Sequence, residues 1–144
     1  MVREIIKDKE ILRKKSETVT KSEVADIVKD LIDTAKANPT AVGLAAVQIG
    51  IHRNIFIAKM RNEQWRAFIN PKIVAHSKEK IECDESCLSV EGSFKKTRYR
   101  SVDIIYFDMQ NKTRKNTFIG FEAQIIQHEM EHLNGIYLGS ENDA

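Results

Sequence analysis

The segment QHEMEHLNG, residues 127–135, constrains this chain more than any other stretch of its sequence. It places His128 and His132 four positions apart, with Glu129 directly after the first histidine. On an α-helix, residues four apart lie on one face with Cβ atoms about 5–6 Å apart, so both imidazole rings can reach one metal ion. Glu129 stands beside the first histidine and can act on a water molecule at that ion. The segment therefore predicts a helix that carries a metal site.

A second helix is predicted near the N-terminus, in the stretch TKSEVADIVKDLIDTAKAN. Thr20 and Glu23 have the spacing of a capping box. Apolar residues then recur with a helical period at Val24, Ile27, Val28, Leu31, Ile32 and Ala35. Pro39 disfavours helical geometry at Asn38. The pattern predicts an amphipathic helix that packs against the core and ends before this proline.

Short β-strands are predicted between the two helices. NIFIAK, WRAFINPKIV and KEKIECD are strand-like, SVDIIYFDM begins with alternating apolar and polar residues, and TFIGF follows the polar turn NKTRKN as a partner strand. The last helix is expected from Phe121 to Asn134, with Gly135 as its stop. The predicted fold is α+β, with antiparallel β-sheets around the C-terminal metal-binding HExxH helix and an N-terminal amphipathic helix.

Length and charge exclude several classes of protein. A chain of 144 residues can bury one core without further support, so we expect a single domain over residues 1–144. A net charge of +2 gives no argument for a nucleic-acid partner. No apolar run approaches the roughly 20 residues needed to cross a bilayer, and the charged start MVREIIKDKE lacks a signal-peptide core. We expect a cytoplasmic protein without a membrane partner.

The two cysteines leave two kinds of metal site open. A structural site would be a closed Cys2His2 set of Cys83, Cys87, His128 and His132. A catalytic site would leave out Cys83 and keep its fourth position for water. In an extended strand, Cys83 and Cys87 would lie roughly 13 Å apart at about 3.3 Å per residue, too far to share an ion. Spacing therefore favours the catalytic site, which also gives Glu129 a role.

Three segments, in this order, resemble the motifs of the peptide deformylase family. The family has a Gly-x-Gly-x-Ala-Ala-x-Gln loop, a Glu-Gly-Cys-Leu-Ser segment and His-Glu-x-x-His on its last helix. This chain has AVGLAAVQ at 41–48, ESCLS at 85–89 and HEMEH at 128–132. INP at 69–71 fits the family's central strands, and the likeness covers about residues 3 to 138. The resemblance implies hydrolysis of the N-formyl group from the initiator methionine of new polypeptides, with release of formate.

The resemblance also implies the roles of the residues at the metal. Cys87, His128 and His132 would bind one divalent ion, which is usually Fe²⁺ in this family, although Zn²⁺ or Ni²⁺ can occupy the site. A thiolate with two imidazoles suits all three ions, so the ligand chemistry does not choose among them. Glu129 would accept a proton from water and return it to the departing amine.

Further roles follow from the other two motifs. The Gln48 side-chain amide and the Leu88 backbone N–H would donate hydrogen bonds to the formyl oxygen. The N-formylmethionyl peptide would be held by the loop residues Val42, Gly43 and Leu44. Without the resemblance, Gln48 is as readily a loop-stabilising amide and Gly43 a turn glycine.

Four residues depart from the family pattern. Ala41 replaces the first glycine of the loop, Val47 stands where bacterial members often have proline, and Ser86 replaces the glycine before the cysteine. Glu131 replaces an aspartate whose family role is to pair with an arginine, here Arg98. Such outer contacts influence metal affinity and activity by 10–100-fold. The alternative is therefore that the chain is a degenerate deformylase-like protein, which binds metal or formyl-peptide with weak or no catalysis.

The short C-terminal end argues against two further possibilities, which are ribosome docking and a zincin-type protease. Only 12 residues follow His132, whereas many bacterial deformylases extend into a long tail that is linked in some members to ribosome docking. Ribosome association through this end is therefore not predicted. The same shortness leaves no room for the downstream third ligand of a zincin-type protease, and Cys87 already fills that place.

Overall fold

The computed structural model describes residues 1–141 and 143. The helices are α1 (Lys9–Leu12), α2 (Val24–Lys36) and α3 (Phe121–Leu133), and 3₁₀ helices span Lys21–Glu23 and Ala46–Ile49. The strands are β1 (Gly43–Ala45), β2 (Ile55–Lys59), β3 (Trp65–His76), β4 (Lys80–Cys87), β5 (Val90–Tyr99), β6 (Ser101–Phe107) and β7 (Thr113–Ile119). Among the described residues, no helix combines the length and the apolar character that crossing a membrane requires.

The strands form two antiparallel sheets. The larger sheet has the order β1-β2-β3-β6-β7, while β4 and β5 form a separate hairpin. Neighbouring strands in both sheets run antiparallel. The predicted α+β class with antiparallel sheets is therefore confirmed.

The larger sheet lies between α2 and α3, and β2 is buried on both faces. Successive side chains of a strand point to opposite faces, so Ile55 and Ile57 join one core cluster and Phe56 joins the other. The first cluster receives the apolar face of α2, contributed by Ile27, Val28, Leu31 and Ala35. The second receives Ala123, Ile125, Ile126 and Leu133 from α3. Packing against this second cluster fixes α3 across the sheet.

Two local features differ from the sequence-based expectation. The segment NKTRKN is only partly a turn, because β7 begins at Thr113 and its polar residues face solvent on an edge strand. The tight turn before it is closed by the Asp108 carboxylate, which accepts hydrogen bonds from the backbone N–H groups of Gln110 and Lys112. The short helix α1 was not predicted, since four residues are too few to show a helical period.

Candidate metal centre

Cys87, His128 and His132 come together where the end of β4 meets one face of α3. Cys87 is the last residue of β4, and the two histidines lie one turn apart in α3 with ring centroids 5.0 Å apart. The Cys87 Sγ atom is 3.4 Å from His132 Nε2, and the potential ligand atoms of all three residues lie within 4.8 Å of one another. Burial lowers the pKa of His132, which favours the neutral ring that a metal ligand needs. The donor set fits a divalent cation.

Cys83 lies outside this cluster. Its thiol is 3.9 Å from the carbonyl oxygen of Ile81, and within residues 1–141 and 143 the one group of three potential ligands is Cys87, His128 and His132. The geometry therefore favours the three-ligand site over the closed Cys2His2 alternative.

Glu129 places a buried carboxyl group beside the cluster. Its side chain is only 3% exposed, and its Oε1 atom has no hydrogen-bond partner among the described residues. Burial raises the pKa of Glu129 to about 7. A carboxyl group whose pKa lies near neutral pH, with one oxygen that bonds no other described group, suits transfer of a proton to and from a reacting group.

Glu85 supports the cluster, a role that its position in the ESCLS segment alone does not predict. One of its oxygens lies 3.0 Å from His128 Nδ1, which leaves Nε2 of that ring available to a metal. The two oxygens of Glu85 also accept hydrogen bonds of 2.8 and 2.6 Å from Arg98. Burial alone raises the pKa of Glu85, but the hydrogen bonds from Arg98 and His128 outweigh it and lower that pKa to about 2. Arg98 Nη1 is also 2.8 Å from Glu131, so the ion pair expected between them is present.

The β4–β5 hairpin is fastened to α3 by a second polar contact. The side-chain amide of Gln127 accepts a hydrogen bond of 2.9 Å from the N–H of Tyr99 and donates one of 2.8 Å to its carbonyl oxygen. Tyr99 ends β5, the partner of the strand that carries Cys87. These contacts, together with the Arg98 ion pairs, fix the sulfur of Cys87 relative to the histidine rings.

Gln48 approaches the cluster from the 3₁₀ helix at Ala46–Ile49. Its Oε1 atom accepts a hydrogen bond of 3.0 Å from the N–H of Ala45, which fixes the orientation of the amide. Its Nε2 atom donates to Cys87 Sγ at 3.4 Å and to Ser89 Oγ at 3.1 Å. The side chain is 2% exposed, so the amide is held beside the sulfur rather than in solvent.

Cys87, His128 and Glu129 line a cavity of about 390 Å³, whereas His132 is fully buried and does not line it. Its walls include Val42, Gly43 and Leu88 from the sequence-based set, together with a face of α3 formed by Phe121, Gln124 and Ile125. Leu44 does not line this cavity, because its fully buried side chain packs into the core beside α2. Its side chain is therefore not available to a substrate.

The departures at Ala41 and Ser86 are accommodated in the structure. Ala41 is buried and does not have a positive φ, so the missing glycine causes no backbone strain there. Ser86 is exposed and lines the cavity, where its side chain has room.

Gly43→Ala is expected to lower kcat for the hydrolytic reaction proposed below by about 10²-fold while the metal content stays unchanged. A Cβ atom at Gly43 would lie 2.6 Å from Glu129 Oε2 and 2.9 Å from Ile125 Cγ2, so the carboxylate must move. Displacing a reacting group by about 1 Å can cost a rate factor of this order. Steady-state kinetics and metal analysis test it, with Ser93→Ala as the control, since Ser93 is exposed on β5 and does not line the cavity. A normal kcat in Gly43→Ala would show that the position of the Glu129 carboxylate does not depend on the absence of a side chain at residue 43.

Comparisons with known proteins agree on one family. The family model described as Polypeptide deformylase matches residues 2–142. A protein named Peptide deformylase from Clostridium beijerinckii is 42% identical over 139 residues, which are 96% of this chain and 100% of that protein. A crystal structure of peptide deformylase from Ehrlichia chaffeensis in complex with actinonin is 34% identical, with a TM-score of 0.88 over 94% of this chain and 86% of that one. A class I type b peptide deformylase from Acinetobacter baumannii with Met-Ala-Ser bound is 27% identical, with a TM-score of 0.86 over 95% and 96%.

Proposed function

The chain belongs to the peptide deformylase family, and we propose that it hydrolyses the formamide bond of N-formylmethionyl polypeptides to formate and a free amino terminus. It is a metal-dependent amide hydrolase by this membership. One observation carries the proposal for the site: Cys87, His128 and His132 converge beside the buried carboxyl group of Glu129, at the end of a cavity. The degenerate alternative is not favoured, because each of these groups is present and close to the others.

Cys87, His128 and His132 would hold one divalent cation. When bound, this cation supplies Lewis acidity, which lowers the pKa of water and polarises the formyl carbonyl. We propose Fe²⁺ as the resident ion because the family resemblance implies it. The same donor set also accepts Zn²⁺ or Ni²⁺.

Glu129 acts as the general base and then as the general acid of the proposed reaction. Its carboxylate accepts a proton from the water whose oxygen attacks the formyl carbon, and it then gives this proton to the amide nitrogen as the C–N bond breaks. Formate leaves with the oxygen of that water. The pKa near 7 that burial gives Glu129 suits both the accepting and the donating step.

Gln48 and Leu88 would stabilise the charge that develops on the formyl oxygen. The Gln48 amide is held in place by Ala45, and Leu88 lines the same cavity. The formyl oxygen would replace Cys87 or Ser89 as an acceptor of one Gln48 N–H, and the Leu88 backbone would supply a second N–H. Donors of this kind are worth about 2.7–4 kcal/mol each in the transition state.

The peptide would lie in the cavity beside Val42 and Gly43. Met-Ala-Ser, which is bound in the Acinetobacter baumannii relative, is the peptide that deformylation of formyl-Met-Ala-Ser would leave. We also propose a cytoplasmic location, since formylated nascent chains are the proposed substrate. Association with the ribosome, a membrane or a nucleic acid is not part of the proposed function.

The purified chain, loaded with Fe²⁺ without oxygen, is expected to release formate from formyl-Met-Ala-Ser with a kcat of about 1–10³ s⁻¹. A strong chelator should abolish the release, and added Fe²⁺ should restore it, because the proposed reaction needs the cation that the three ligands would hold. Enzymatic detection of formate measures the rate. Binding of metal and peptide without any formate would instead identify a non-catalytic binding protein.

A further inference from the structure

The cavity wall contains a side-chain amide that the proposed reaction does not use. Gln124 lies in α3, one turn before His128, and it lines the cavity beside Phe121 and Ile125. It is half-buried, and its side chain has no hydrogen-bond partner among residues 1–141 and 143. Gln127 on the same helix is different, because its amide bonds to the backbone of its neighbours. The Gln124 amide is therefore available to a ligand in the cavity.

The position of Gln124 along α3 determines which part of a substrate it meets. The formyl carbon has to lie beside Glu129 and the ligand cluster, and the Cα atom that carries the first side chain of the peptide is two bonds away from that carbon. A methionine side chain extended along α3 covers about one helical turn, roughly 5.4 Å. The cavity wall continues from His128 toward the N-terminal end of the helix through Gln124, so a side chain that extends in this direction by one turn reaches Gln124.

We propose that Gln124 is a specificity-determining residue that donates a hydrogen bond to a polar end of the first side chain, so that the protein deformylates N-formylmethionine sulfoxide peptides as well as N-formylmethionine peptides. This rests on the proposed function. The thioether of methionine is a weak acceptor, whereas oxidation makes this side chain polar and adds a sulfoxide oxygen. An apolar wall would leave that oxygen desolvated and without a partner. The bond hydrolysed and its products at the formyl end are the same for both substrates.

The test compares kcat/KM for formyl-Met-Ala-Ser with that for its methionine sulfoxide form in the Fe²⁺-loaded wild type, Gln124→Leu and Gln124→Glu. Glutamate has nearly the shape of glutamine, but as a carboxylate it cannot donate, so it separates hydrogen bonding from packing. The ratio of the sulfoxide value to the methionine value is expected to fall about tenfold in both variants. Gln110→Leu, the same change at an exposed turn away from the cavity, should leave the ratio unchanged.

Two results would overturn this role of Gln124. One is an unchanged ratio in active Gln124→Leu and Gln124→Glu, which would mean that the amide is only solvated. The other is a wild type that acts on formyl-Met-Ala-Ser but not on the sulfoxide peptide. A wild type that releases no formate from either peptide contradicts the proposed function itself, so the two failures can be told apart.

Discussion

Glu129→Gln is expected to lower kcat for formate release by about 10²–10⁴-fold while the protein keeps its metal. Glutamine has nearly the same shape, so it fits the space that the missing Cβ of Gly43 leaves, but its amide cannot accept the proton of the attacking water. Because Glu129 is not among the three ligand residues, the cation should remain bound. The loss should therefore appear in kcat and not in metal content.

The measurement pairs steady-state formate release with metal analysis of the same samples. Glu122→Gln is the matched control, because Glu122 lies on the same helix, accepts a hydrogen bond of 2.9 Å from the Arg61 backbone N–H and does not line the cavity. It should keep wild-type kcat. If Glu129→Gln turned over at the wild-type rate, another group would have to be the base.

Arg98→Met is expected to lower the free energy of unfolding by about 3–5 kcal/mol. The Arg98 side chain is 4% exposed and joins Glu85 to Glu131, so its removal leaves the buried Glu85 carboxylate with the His128 ring as its remaining partner. Glu85 also holds Nδ1 of His128, so we expect metal affinity to fall by about 10–100-fold as well.

Urea unfolding in the presence of a chelator measures the change in the free energy of unfolding. A metal titration measures the change in metal affinity. Arg100→Met is the control two residues away, since the Arg100 side chain is 55% exposed and lies 3.5 Å from the exposed Glu79. An exposed pair of this kind contributes at most about 1 kcal/mol. Equal destabilisation by the two substitutions would show that the Arg98 ion pairs do not stabilise the fold.

The features that the sequence predicted are those with a local periodic signal. The i, i+4 spacing of His128 and His132 determines which face they share once the helix forms, and the apolar period of α2 defined its buried face. Strand spacing favours a site that keeps Cys87 and leaves out Cys83, and the likeness to a family points to the same cysteine. The structure brings all three together.

The contacts that the sequence did not predict depend on tertiary packing. Glu85 and Cys87 are two residues apart in β4, but the strand pairing is irregular between them, and only the position of the hairpin against α3 shows that Glu85 meets His128. Similarly, Val42 and Leu44 were both expected to contact substrate. The structure places Val42 at the cavity and turns the Leu44 side chain into the core, which loop sequence alone does not reveal.

X-ray absorption spectroscopy of the zinc-loaded protein, beside Cys83→Ser, examines the ligand set without reference to activity. One sulfur at about 2.3 Å and two imidazole nitrogens at about 2.0–2.1 Å, with solvent oxygen in the remaining place, is the result expected for both proteins. Two sulfur ligands in the wild type, reduced to one in Cys83→Ser, would mean that the site is closed and structural, and the hydrolytic account would fail.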